Sequence, residues 1–162
     1  MNRCNLATLI VRALLFSVVV LLAGNRMGYA QQPDIDSVKA AIEAFDAALG
    51  SLDVSKMAPL WVHDATVTLI NPRDKGIAVG WDAVKKDWEA TFNANSELKI
   101  TRIDGPYIQA NGDVAWSTGM VNAAIRLKNG AALNAPAFEA DVFQKRGSQW
   151  LLVSHAAWRV PK

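Results

Sequence analysis

Apolar residues recur at helical spacing from Val38 onward. Val38, Ala41, Ile42, Phe45 and Leu49 fall on one face, with Lys39, Glu43 and Asp46 opposite. The spacing predicts a first helix, capped by Asp36 or Ser37 and ended by Gly50, behind a short tether at residues 31–34. A second, short helix follows Asp53, with Met57, Leu60 and Trp61 as its apolar side. Residues 65–70 alternate as a strand that runs into a turn at Asn71-Pro72-Arg73-Asp74. A third helix opens after Gly80. Asp82 sits in its first turn, where negative charge suits the helix dipole, and Val84, Trp88 and Phe92 form its apolar stripe.

From Leu98 the period changes to that of strands. Asn111-Gly112, Asn129-Gly130 and Gly147-Ser148 separate β-rich runs and read as hairpin turns. They predict antiparallel strands near residues 106–110, 114–127, 135–145 and 149–159, joined by another near 97–103. Helices first and a long curled sheet afterwards is an α+β layout with the helices on one face.

The N-terminus follows other rules. Arg3 and Arg12 precede an apolar stretch of 12 residues, 13–24, and Gly28-Tyr29-Ala30 supplies a cleavage pattern, as in a secretory signal peptide. As a helix the stretch reaches only about 18 Å, against a hydrocarbon layer of about 30 Å, so no stable membrane anchor is expected. The expected organisation is a signal peptide over residues 1–30 and one exported domain over 31–162, periplasmic or secreted. This changes the charge. The 162 residues carry +2, which by itself suggests an acidic partner. Without Arg3, Arg12 and Arg26, 14 basic residues face 15 acidic ones, a net charge of −1, and no nucleic-acid partner is expected. Cys4, the only cysteine, lies in the same segment, so the remaining domain has no disulfide or cysteine metal site.

Several local patterns occur in a telling order. They are Leu60-Trp61-Val62-His63-Asp64-Ala65-Thr66-Val67, Gly80-Trp81-Asp82-Ala83-Val84-Lys85-Lys86-Asp87-Trp88, Gly112-Asp113-Val114-Ala115-Trp116 and Trp150-Leu151-Leu152-Val153-Ser154-His155. This series resembles the nuclear-transport-factor-2-like superfamily, in particular its SnoaL-like branch, over residues 34–161. The resemblance implies a sheet curled as a cone around three N-terminal helices, with an apolar pocket between them. Ketosteroid isomerases, polyketide cyclases, hydratases and non-catalytic domains share this fold, so fold alone leaves function open. The isomerase base, an aspartate just before a proline, has no counterpart here: Thr68-Leu69-Ile70-Asn71-Pro72 contains no carboxylate.

A two-residue turn at Gly147-Ser148 sets Asp141 opposite Ser154 and Ala140 opposite His155. By analogy with relatives, the face carrying Glu139, Asp141, Phe143 and Ser154 lines the cone, together with Trp116, Thr118, Met120 and Asn122 from the preceding strand. Met57 and Trp61 complete the expected pocket. Phe138, Ala140 and Val142 then form an outer apolar face suited to a homodimer. Asp141 is the leading acid–base candidate, since burial raises a carboxyl pKa; a bland alternative pairs it with Arg126 at a wet rim. Glu139 is expected to be exposed. His155 is a second catalytic candidate, or else a histidine buried in the dimer sheet. His63 is expected to hydrogen-bond a loop. Trp61, Trp88 and Trp150 suit the core, and Trp158 the end of the cone. Two distant histidines predict no metal site, and no cofactor is expected. The reading that follows is a binder of a small apolar or aromatic molecule, with an acid–base enzyme and an interaction module as alternatives.

Overall fold

A computed structural model describes residues 32–161. The expected signal peptide lies outside the described residues. Among those described, no helix is long and apolar enough to cross a membrane.

Helix α1 (Gln32–Ser51) begins earlier than its apolar spacing suggests, so Asp36 and Ser37 lie inside it and the expected tether is its first turn. It runs one residue past Gly50, and Leu52 takes the left-handed conformation (φ 52°) that closes it. Lys145 reaches Asp34 at 2.6 Å and ties the start of α1 to the sheet. Helix α2 (Val54–Met57) is capped by the Asp53 carboxylate, which accepts from the Ser55 amide, and continues as one 3-10 turn, Ala58–Leu60. Helix α3 (Trp81–Ala94) follows Gly80, whose φ of 83° favours glycine.

Six strands follow in chain order: β1 (Thr68–Ile70), β2 (Ala78–Val79), β3 (Asn95–Asn111), β4 (Val114–Leu127), β5 (Ala132–Arg146) and β6 (Gln149–Arg159). The two runs expected at 97–103 and 106–110 are one strand, β3, bent by irregular pairing near Asp104. The sheet order is β2-β1-β6-β5-β4-β3. It is mixed rather than wholly antiparallel, because β1 lies parallel to β6. The helices cover one face. Val38, Ile42 and Phe45 of α1, Met57, Trp61, and Val84 and Trp88 of α3 bury themselves against Ala115, Phe143, Trp150 and Leu152. Trp61, Trp88 and Trp150 are thus core residues.

Register on the sheet decides what faces this interior. Gln149 pairs with Arg146 and Leu152 with Phe143, but Ser154 then pairs with Val142 and His155 with Asp141. Val153 is the extra residue of a β-bulge, which re-aims everything beyond it. The expected pairing of Asp141 with Ser154 is therefore corrected: His155 points inward, and Ser154 sits on the outer side, where its hydroxyl accepts from Thr68 at 2.9 Å.

Candidate active site

Asp141 and His155 are 1% and 3% exposed. The imidazole Nδ1–H donates to Asp141 Oδ1 at 2.7 Å, and Ser117 donates to Oδ2 at 3.2 Å. Phe45 and Trp88 flank the imidazole, with ring centroids 4.9 and 6.0 Å away. Burial opposes protonation of His155. The hydrogen bond to Asp141 and the charges of Asp141, Glu139 and Asp46 outweigh it, so the imidazole pKa stands above 6.5.

A second buried chain runs beside this pair. Arg102 of β3 donates through Nη1 to Glu139 of β5 at 2.9 Å, and through Nε and Nη2 to Asp46 of α1 at 3.1 and 3.0 Å. Glu139 stands directly across from Gly119, and a Cβ on Gly119 would lie 2.9 Å from the Asp104 carbonyl and 3.9 Å from Arg102 Nη1. Bare backbone there lets the Asp104 carbonyl of β3 lie close against β4. Burial, then repulsion from Asp141, holds the Glu139 carboxyl above its usual range. Burial does the same to Asp46, against the pull of Arg102. Burial works against the Arg102 charge, but Glu139 and Asp46 more than restore it.

Glu139 and His155 form one end of a cavity of about 190 Å³. Its walls are mainly apolar, from residues such as Leu98, Ile100, Val121, Ala123 and Ala137, with Asn71, Thr91 and Asn95 as polar lining. Pro72, Arg73, Leu133 and Arg159 are solvent-exposed lining residues and mark its open side. The space exceeds what one water needs. Among the described residues His155 Nε2 has no hydrogen-bond partner, so the ring offers that nitrogen to the cavity.

Of the expected site residues, Asp141 and His155 come together. Met57, Trp61 and Phe143 are buried in the core but do not line the cavity. Trp116, Thr118, Met120 and Asn122 face the other way. Ser117 pairs with Asp141 and Trp116 with Val142, and paired residues share a face, so an inward Asp141 turns Ser117 inward and Trp116 outward. Trp116 is 39% exposed, and Asn122 bonds Asn134 on the same outer side. Trp158 is also outward, against Phe138 at 5.9 Å, and does not close the cone. Arg126 pairs at the surface with Glu97 rather than with Asp141. Glu139, expected to be exposed, is 4% exposed. His63 meets the Ala58 carbonyl at 2.8 Å and stacks on Trp81 at 4.0 Å. Sequence reasoning missed Arg102 and Asp46. Their signal was slight: an arginine on an inward strand position and an acid on the helix face read as solvent-exposed.

Donor atoms of Glu139, Asp141 and His155 lie within 4.8 Å of one another, close enough to share a cation. Each already has a partner, Arg102 or the others of the set, and a cation would have to break the Asp141–His155 bond. The arrangement suits proton transfer better. An imidazole fixed through Nδ1, with Nε2 facing an apolar space, can give a proton to an oxygen or take one back.

No curated protein matches the sequence. Among solved structures, one assigned as a dehydratase of the nuclear-transport-factor-2-like family from Streptomyces avermitilis aligns with TM-score 0.74 at 19% identity, covering 82% of this chain and all of that one (100%). A ketosteroid isomerase-like protein from Erwinia carotovora atroseptica aligns with TM-score 0.66 at 17% identity, covering 78% and 96%. A protein assigned as an aromatic ring hydroxylase from Novosphingobium aromaticivorans aligns with TM-score 0.72 at 12% identity, covering 83% and 94%. At these identities the likeness is one of fold. The SnoaL-like domain model matches residues 38–157, nearly all of the described chain. With the cone, its three helices and its one-ended cavity in place, the chain belongs to the SnoaL-like domain family.

Proposed function

We propose that this protein is an acid–base enzyme acting on a small, largely apolar molecule, with His155 as the proton-transfer group and Asp141 as the residue that orients it. The observation that carries this reading is the imidazole itself, bonded to Asp141 through Nδ1 and facing the cavity without a partner on Nε2. The raised His155 pKa favours the imidazolium more than in a free histidine, which suits a general acid toward a hydroxyl or carbonyl oxygen. Loss of water from a hydroxy ketone fits. The imidazolium protonates the leaving hydroxyl as the C–O bond breaks. Glu139, the other ionisable group at that end, takes the neighbouring carbon's proton, and the C–H electrons form the double bond. The solved neighbours assigned as a dehydratase or as ketosteroid isomerase-like agree with chemistry of this class.

The test is turnover of a panel of β-hydroxy ketones, followed by the ultraviolet absorbance of the conjugated product. Wild-type protein should convert at least one of them, and His155→Gln should not. Full turnover by His155→Gln would remove His155 from the mechanism. A second reading, capture of an apolar molecule without chemistry, draws on the apolar cavity walls. It predicts binding without turnover by the wild type.

The pattern of residues 1–30 supports export to the periplasm or medium, which N-terminal sequencing of secreted protein would test. The outer sheet face, with Trp116, Trp158 and Val114 at 39%, 49% and 45% exposure, supports a homodimer through that face.

A further inference from the structure

We infer that the cavity takes a carboxylate: a molecule with an apolar body, an oxygen function against His155 and a carboxylate at the opening, held by Arg159. The inference names a substrate class for the acid–base site and rests on that reading for its inner end only. On the inward face of β6, His155, Ala157 and Arg159 alternate with outward residues, and all three line the cavity. At about 3.4 Å per residue, the Cα atoms of His155 and Arg159 are roughly 13 Å apart. One strand thus carries the reacting group at the closed end and a guanidinium at the open end.

The space between them is mainly apolar. Ile100, Val121, Ala123 and Ala137 offer no polar side chain; of the other polar lining residues, Asn71 and Thr91 are already bonded to Asp87, and Asn95 lies at the start of β3. The two arginines at the opening differ. Arg73 is held by Asp74 at 3.7 Å and Asp87 at 3.4 Å, and it also donates to Thr91. Arg159 has no acidic partner among the described residues. Its charge is uncompensated next to an apolar opening. A guanidinium in that position favours a planar carboxylate, which it can meet with two parallel hydrogen bonds, over a neutral or cationic group.

The probes are 6-hydroxy-2-naphthoate, a rigid apolar body with hydroxyl and carboxylate at opposite ends, its methyl ester and 2-naphthol, titrated calorimetrically into the full-length protein. The acid should bind about five- to tenfold more tightly than the ester at low salt, in line with a partly desolvated ion pair, and the preference should shrink as salt is added. Arg159→Gln should remove the preference while leaving ester affinity within about twofold. Arg159→Lys, which keeps the charge without the fork, should retain part of it. Equal binding of acid and ester, or a preference that persists in Arg159→Gln, would overturn the inference, as would no binding by any of the three. A preference that depends on Arg159 supports the inference even if His155→Gln leaves turnover unchanged, a result that would sink only the acid–base reading.

Discussion

Asp141 and His155 face one another across β5 and β6 because β6 carries one residue more than its partner. Without the bulge at Val153, alternation would place the imidazole on the outer face and Ser154 beside the carboxylate. The pair is therefore made by backbone geometry as much as by side-chain chemistry. It follows that Asp141 acts on any reaction through the ring it holds.

Replacing Asp141 by Asn should keep the shape of the site but lower the His155 pKa, since the hydrogen bond that the imidazole donates to Asp141 and the carboxylate charge both favour the imidazolium. Turnover should fall by about 10²–10⁴, as when a positioned proton-transfer group is impaired. The alkaline limb of the pH–rate profile, where the imidazolium acid is lost, should move to lower pH. A profile that stays in place while the rate drops would mean that Asp141 serves only the fold.

Stability should be greatest in mild acid. Asp46, Glu139 and His155 all titrate above their ordinary values of 3.8, 4.5 and 6.5. The folded protein holds each of these protons more tightly than the unfolded chain. The stabilisation is complete below the ordinary value and is lost as pH rises through the folded one. The melting temperature should then decline from about pH 4.5 towards pH 8, and His155→Gln should flatten the upper part of that decline. Below about pH 4 the trend reverses. There Asp53 and Asp64, held low by hydrogen bonds from Ser55 and Thr66, lose the stabilisation that their charged forms supply. Thermal melts across this range are the check, and a flat or rising curve between pH 5 and 8 contradicts it.

Arg102→Met should destabilise the protein by about 3–5 kcal/mol, because it strands the Glu139 carboxylate in the interior and takes away the partner of Asp46. Adding Glu139→Gln should recover part of the loss by removing the orphaned charge. Urea melts of both single variants and the double variant give the coupling directly. If the single changes simply add, the three residues do not act as a unit.

Gly119→Ala sets a methyl against the Asp104 carbonyl at a distance side chains do not tolerate, 2.9 Å. A loss of about 1–3 kcal/mol is expected, as for other overpacked positions. The same melts would show it, and a neutral result would mean that β3 yields easily at its bend.

Trp116→Ser is expected to leave affinity for a cavity ligand unchanged, since the ring faces away from the cavity. Its effect should fall on self-association, read by sedimentation. A large change in ligand affinity with no change in association would contradict this placement.

Local signals in the sequence reported local structure well. Gly112 and Gly147 hold positive φ in the two hairpin turns that their dipeptides announce, and Val84, Trp88 and Phe92 are buried along one side of α3. Long-range geometry was less legible. A bulge leaves no mark in composition, so counting along β6 by twos reversed His155 and Ser154. The same kind of parity error put Trp116 in the pocket in place of Ser117. The parallel pairing of β1 with β6 joins segments 86 residues apart, as in the Thr68–Ser154 contact, and no local pattern encodes it. Glu139 was read as exposed because a lone acid near a strand end usually is. Its burial depends on Arg102, which approaches from another strand.

The Asp46–Arg102–Glu139 chain also connects parts of the molecule that are distant in sequence. Asp46 belongs to α1, Arg102 to β3 and Glu139 to β5, so one guanidinium spans the helical layer and two strands of the sheet. Any event that changes the charge on Glu139, whether a proton or a ligand arriving at the closed end of the cavity, alters the hold on α1 in the turns around Asp46. Amide hydrogen exchange there, on a helix that forms no part of the reacting pair, would report the occupancy of the cavity.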